Sequence, residues 1–264
     1  MECEIKKQNV GIVIGTFAAV PYVHLSLEAL RRNEPNLKIL VHDDCSPFQD
    51  KLKEICDLYG ASFYSLNYRR NPVIGDMSSV LQSIIWSNSN NCEIGIKMSR
   101  RYIINRPFVG ELSSIMSNMQ VPTVSSACST WGFGFRSEFI GFHVPTWNSS
   151  SVINDMKKII EDNKAPELLT RLPEAWYHNQ VKEVYSKNIS DERKNYDRNY
   201  PLAQNRAGFA DMPMMGLGRN IKVPNIIWHD SSDHVEYYEL SKKFNLPYTL
   251  ENFKDPNMGH NNKP

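Results

Sequence analysis

The sequence predicts an α/β protein: a mostly parallel, Rossmann-like sheet with helices on both faces, followed by a less regular C-terminal extension. Two observations carry that prediction. Strand-length apolar runs alternate with helix-length amphipathic segments through residue 105, the pattern of parallel strands joined by helical crossovers. The loops that follow those strands also collect the glycine, acidic and basic side chains, as expected where ligands sit at the carboxyl ends of parallel strands.

The elements follow in order. Residues 10–17 form an apolar run interrupted by Gly11 and Gly15, which reads as a buried strand. Residues 22–32 place Val23, Leu27 and Leu30 at helical spacing. Residues 38–41 are a second strand ending in His42-Asp43-Asp44-Cys45-Ser46-Pro47. Residues 50–59 are helical, with Leu52, Ile55 and Tyr59 on one face and Gly60 as the stop. A third strand spans 62–66. A helix over 76–87 turns Val80, Leu81, Ile84 and Ile85 inward, and a fourth strand spans 93–98. Beyond residue 105 the pattern loosens. Helices are expected at 107–119, 151–162, 174–186 and 235–244, and strands at 123–129 and 225–228. Residues 131–136 are aromatic and glycine-rich, 190–218 read as a long polar excursion, and the tail from Lys254 as disordered.

Composition narrows the class. A hydrophobic fraction of 41% supports a substantial core, and a formal net charge of +1 gives no bulk attraction to nucleic acid or membrane. The five cysteines are odd in number and lack C-x-x-C spacing, which points to free thiols in a reducing compartment. The first residues lack the apolar stretch of a signal peptide, and no apolar run reaches the length of a membrane span. The expectation is a soluble, cytoplasmic protein that meets a membrane only peripherally, if a folded surface patch provides for it.

Three strand ends share one rim: Gly15-Thr16-Phe17, Asp43-Asp44-Cys45-Ser46-Pro47 and Ser99-Arg100-Arg101-Tyr102. A carboxylate at a strand end can accept hydrogen bonds from ribose hydroxyls or base N–H groups; a plain helix-capping turn has the same composition. The order and spacing of these motifs, with the helix at 76–87, resemble the N-terminal half of the GT-A glycosyltransferases. The likeness is strongest to the large inverting nucleotide-diphosphate-sugar family, glycosyltransferase family 2, and covers about residues 8–105.

That resemblance implies a nucleotide-diphosphate-sugar donor and a glycan or other hydroxyl acceptor. It implies a nucleotide-binding half at 1–105, an acceptor-binding and catalytic half at 106–253, and a flexible tail at 254–264. It places Thr16 and Phe17 at the base pocket, Asp44 on the base, Asp43 near the ribose, and Arg69, Arg70 and Asn71 at base or phosphates. The family's fourth strand normally ends in Asp-x-Asp, whose carboxylates hold a divalent metal against the diphosphate. Here that position reads Ser99-Arg100-Arg101. No carboxylate is present to bind manganese or magnesium, so no metal cofactor is expected. Either catalysis is lost, or Arg100 and Arg101 stabilise the departing diphosphate as guanidinium cations. On this pattern Lys97 points away from the site if Met98 is core. His229, at the end of the strand at 225–228, would hydrogen-bond the diphosphate, or else be a buried structural histidine.

The general base of an inverting transfer is expected in Leu172-Pro173-Glu174, where Glu174 opens a helix. Asp155 and Glu138 are weaker candidates. Trp131 to Phe135 and Trp147 could stack on a sugar ring or belong to the core, and Gly216-Leu217-Gly218-Arg219 could form a flap. Two other readings stay open: an inactive nucleotide- or glycan-binding relative, and a nucleotidyltransferase. Against the latter, the loop after the first strand has no basic residue.

Overall fold

The computed structural model describes residues 9–100, 102–104, 106–119, 122–126, 136–171, 173–188, 209–211, 226–227 and 234–254. Four strands begin the sheet, with their crossover helices between them: β1 (Val10–Thr16), α1 (Val20–Asn33), β2 (Lys38–Asp43), α2 (Gln49–Leu58), β3 (Ser62–Ser65), α3 (Pro72–Ser89) and β4 (Ile94–Ser99). They are all parallel and lie in the order β3-β2-β1-β4. The reversal of direction in strand order falls between β1 and β4, so their carboxyl ends frame a crevice.

Beyond them come β5 (Ile103–Ile104), α4 (Val109–Met119), β6 (Thr123–Ser126), β7 (Arg136–His143), α5 (Val144–Asn148), α6 (Val152–Glu161), α7 (Glu167–Arg171), α8 (Pro173–Asn188), β8 (Phe209–Asp211), β9 (Ile226–Ile227), α9 (His234–Lys243) and α10 (Leu250–Lys254). The seven-stranded sheet has the order β3-β2-β1-β4-β7-β6-β8, with β7 antiparallel to both neighbours and β6 parallel to β8. β5 and β9 form a separate antiparallel pair.

The two faces of the sheet are packed by different means. On one, Ile12, Ile14, Ile39, Val41, Ile96 and Met98 meet Val23, Leu27 and Leu30 of α1 and Leu52 and Ile55 of α2. Branched side chains set the spacing there. On the other face α3 lies almost on the backbone. Its buried Gly75, Ser79, Ser83 and Ser87 recur every four residues, which aligns them on one helix face. Ser79, Ser83 and Ser87 meet Gly15, Gly95 and Gly11 of the sheet, and Gly75 meets Asp44; a Cβ on Gly95 would stand 2.1 Å from the Ser83 carbonyl oxygen. The opposite side of α3 joins Trp147, Met156, Trp176, Tyr177 and Val181 in a second core.

Two local devices fix distant pieces. Gly60 takes φ +58° and ends the turn after α2. Glu34 reaches across 74 residues, its Oε1 accepting from Phe108 N (2.8 Å) and Val109 N (3.0 Å) at the start of α4. A third core closes the chain on itself. Tyr237, Leu240, Phe244 and Phe253 cover the outer side of α1 at Ala19, Tyr22, Leu25 and Ala29. Tyr22 Oη donates to Phe253 O at 2.7 Å, and the His24 ring lies within hydrogen-bond distance of both Tyr59 Oη and Tyr248 Oη.

The structure differs from expectation in several places, among them the unforeseen β5, α5, α7 and α10. α3 starts at Pro72, four residues ahead of the expected start, because Asn71 accepts from Val73 N at 3.0 Å as its cap and Pro72 is preset for a first turn. β7, the strand next to β4, is not foreseen. Within the expected excursion at 190–218, Phe209–Asp211 is a strand held by β6. The rest of that segment, residues 131–135 and 255–264 lie outside the described residues.

Candidate functional site

The carboxyl ends of β1, β2 and β4, with the start of α3, enclose a cavity of about 200 Å³. Backbone bonds tie its rim together: Asp44 N donates to Thr16 O, Leu66 N to Asp43 O, and Arg100 N to Gly15 O. The loop after β1 then makes an unusual turn, with Ala18 at φ 53° and Ala19 at φ 58°, and Cys45 after β2 lies at φ 58°. Non-glycine residues in this left-handed region cost roughly 1 kcal/mol or more each, and such conformations gather at binding rims. Thr16 Oγ1 donates to Ala18 O at 2.9 Å and holds the turn.

Five of the expected site residues line this one cavity: Thr16, Phe17, Asp44, Arg69 and Arg100. The Arg69 guanidinium lies over the Phe17 ring at 3.6 Å from its centroid, a cation–π stack spanning two loops. Asp44 is 8% exposed; its Oδ1 accepts from Arg70 N at 3.3 Å, and its Oδ2 lies so near Gly75 that a Cβ there would approach to 2.7 Å. Burial raises the Asp44 carboxyl above the ordinary carboxylate value, against the lowering pull of the Arg70 N–H bond and the nearby arginines.

The other expected residues are placed differently. Asp43 is fully buried beneath the rim and does not line the cavity. Its Oδ2 accepts from Ser46 N (2.8 Å) and Ser65 Oγ (2.7 Å), so it braces the β2 and β3 ends where a ribose contact was expected. Burial raises its carboxyl too. Arg70 turns inward: Nη1 donates to Ser78 Oγ at 2.6 Å, and Ser78 lies 3.4 Å from His42 Nε2. Ser79 Oγ is 3.3 Å from His42 Nδ1. Burial, then the Arg70 charge, pushes the His42 imidazole down to about 4. Asn71 caps α3. Glu174 stands in the first turn of α8, with its side chain outside the described residues; Arg101 and His229 lie outside them altogether. Trp147 is core: at 1% exposure its Nε1 donates to Pro122 O and Thr123 Oγ1.

Sequence reasoning missed a pair. Lys97 does not point away from the site. Both it and Met98 are buried, and its side chain runs beneath Gly15 to form an ion pair with Asp76 Oδ1. Asp76, Ser79 and Ser99 complete the wall between the β1 and β4 ends. The lone lysine in an otherwise apolar strand was the available signal.

No family model matches the chain, and no curated protein does. Solved structures do. An active-site mutant of LgtC superposes with a TM-score of 0.51 over 93% of this chain and 99% of that one, at 10% identity. The chain has the GT-A fold. Other GT-A matches include S. aureus TarS in complex with UDP-GlcNAc (TM-score 0.48, 10% identity, 96% of this chain and 73% of that chain). Another is the mannosyltransferase PcManGT from Pyrobaculum calidifontis in complex with GDP-Man and Mn2+ (TM-score 0.44, 12% identity, 71% of this chain). The chain spans 30% of TarS in a further structure, 66% of PcManGT and 45% of the Streptococcus pneumoniae glycosyltransferase GlyE.

At the end of β4, where the resemblance noted above implies a metal-binding position, the described side chains are Ser99 and Arg100. Of the two carboxylates in the cavity, Asp44 accepts from Arg70 N and Asp76 is paired with Lys97. Among the described residues no group of three or more His, Cys, Asp or Glu could hold a metal ion. Among the described residues, that donor set does not fit a divalent cation. Nor, among the described residues, is any helix long and apolar enough to cross a membrane.

Proposed function

We propose that this chain is a glycosyltransferase that moves a sugar, with inversion, from a nucleotide-diphosphate donor to a hydroxyl acceptor during the building of a glycan or polysaccharide. The observation that carries this reading is the cavity at the β1, β2 and β4 ends. It combines an aromatic face at Phe17, a carboxylate at Asp44, and cations at Arg69 and Arg100. A base stacks on an aromatic ring and donates to a carboxylate, and a diphosphate needs cations. Residues 1–105 would hold the donor and 106–253 the acceptor. The free thiols of Cys45, Cys56 and Cys92 suit a cytoplasmic setting.

In this mechanism Glu174 takes the proton of the acceptor hydroxyl as its oxygen attacks the anomeric carbon. The bond from that carbon to the diphosphate breaks, and its electron pair leaves with the diphosphate. Arg100 and Arg101, with His229, receive the developing charge in the role a metal plays elsewhere. An alternative is a binding protein that has lost catalysis, favoured by the missing carboxylates after β4.

Isothermal titration with UDP, GDP, CDP, ADP and dTDP, with manganese and with chelator, tests the donor site. The expected result is binding by at least one diphosphate that chelator leaves unchanged. No binding by any overturns the glycosyltransferase reading, and strict manganese dependence overturns the arginine assignment. Arg100→Ala should weaken diphosphate binding more than nucleoside binding. Glu174→Gln should keep donor binding and lose transfer; retained turnover removes Glu174 as the base. Donor binding with no transfer to any hydroxyl acceptor by the unaltered chain would favour the binding protein.

A further inference from the structure

Lys97 is the one charged residue in β4, and its side chain is 2% exposed. Burying an unpaired ammonium costs several kcal/mol, so a lysine in this position requires an anion. Asp76 supplies it, through Oδ1, from the second turn of α3. Asp76 is not itself sealed off. It is 35% exposed and lines the cavity. A carboxylate facing a diphosphate site repels the ligand unless its charge is offset, and Lys97 offsets it from below.

The position of the pair indicates what the exposed carboxylate meets. In the sheet order β2-β1-β4, Asp44 stands at the β2 end and Ser99 and Arg100 at the β4 end. Between them, beside Gly15 at the β1 end, lie Ser79 and Asp76, with Lys97 behind Asp76. A nucleoside diphosphate with its base at Phe17, Arg69 and Asp44 and its phosphates at Arg100 brings its ribose over this middle section. An ionised carboxylate only accepts hydrogen bonds, and the donors of a ribose are its hydroxyls. We infer that Asp76 recognises the ribose hydroxyls of the donor, and that Lys97 is a positioning residue that fixes the Asp76 carboxylate and cancels its charge. This rests on the reading of the cavity as a nucleoside-diphosphate site.

The test compares UDP, GDP, CDP and ADP with the same diphosphates lacking both ribose hydroxyls, by isothermal titration. For the diphosphate that binds, loss of the hydroxyls should weaken affinity roughly tenfold to hundredfold, the worth of hydrogen bonds to a charged acceptor. Asp76→Ala should shrink that gap to within about threefold. Because Asp76→Ala removes the ion-pair partner of the buried Lys97 ammonium, the double variant Asp76→Ala with Lys97→Met removes both charges and should show the same collapsed gap in a folded protein. A wild-type gap below about threefold overturns the inference. So does a double variant that binds both ligand series more weakly but keeps the full gap, since that is what a purely structural pair predicts. In both cases the glycosyltransferase reading stands. Absence of binding by every diphosphate overturns the two together.

Discussion

Gly95→Ala asks how closely α3 is seated on the sheet. The new Cβ would lie 2.1 Å from the Ser83 carbonyl oxygen and 3.0 Å from Ser87 Oγ. The first obstacle is main chain, so no rotamer change removes it, and the helix has to back away by about 1 Å to restore ordinary contact. Overpacking of this kind costs about 1–3 kcal/mol, and a backbone obstacle puts the cost at or above the upper figure. For a chain of this size each kcal/mol lowers the melting temperature by about 2–4 °C, so a fall of about 6–12 °C is expected. Two glycines calibrate the effect. Gly60→Ala meets open space but at φ +58°, and should cost about 1 kcal/mol. Gly110→Ala meets nothing within 4 Å in α4, and should be neutral or stabilising by up to about 1 kcal/mol. Thermal and urea unfolding followed by circular dichroism rank the three. If Gly95→Ala melts within about 2 °C of wild type, or no lower than Gly60→Ala, the close seating of α3 is wrong.

Three other outcomes are expected. The folded state holds His42 at about 4 against an ordinary 6.5. It therefore resists a proton that the unfolded chain accepts, and stability falls as pH drops from about 6.5 towards 4, by about 3 kcal/mol in full. The raised carboxyls of Asp43 and Asp44 act in the opposite sense at acid pH. The pH dependence of His42→Asn subtracted from that of wild type isolates the histidine, and parallel curves would contradict its burial in neutral form. Phe17→Ala removes the ring under Arg69 and should weaken nucleoside diphosphates about tenfold by titration, with melting unchanged within about 2 °C. Glu34→Ala frees the Phe108 and Val109 N–H groups. It should lower stability by about 1–2 kcal/mol in urea unfolding, and an unchanged midpoint would show that the cap contributes nothing.

The first half of the fold is legible because its signals are local. The strands at 10–17, 38–41 and 62–66 and the helices between them match observed elements within a few residues, since each is a run of one periodicity closed by its own stop signal. The start of α3 was also written locally, in Asn71-Pro72, but the apolar spacing at 80–85 outweighed it. β7 is covered on both faces, with Phe139 in one core and Ile140 and Phe142 in the other. A strand with two buried faces lacks the alternation that marks one, and its partners are distant in sequence. β8 is three residues long and exists through its pairing with β6. In the site, Thr16, Phe17, Asp44, Arg69 and Arg100 were readable as strand-end residues. The inward turn of Asp43 and Arg70 was not, because it depends on Ser46, Ser65 and Ser78, which carry no pattern of their own. The Lys97–Asp76 pair spans 21 residues and two elements, so neither partner announces the other.

The cover over α1 bears on what supports the cavity. Tyr22, Leu25 and Ala29 are covered by Tyr237, Leu240, Phe244 and Phe253, which lie more than two hundred residues later in the chain. A chain that stops after residue 105 lacks the side chains that cover this face of α1. Removing residues 234–254 should disturb the cavity, although its lining lies within the first hundred residues, because α1 follows directly from the loop that carries Phe17. The first hundred residues carry the whole lining of the cavity without carrying all of the core that supports it.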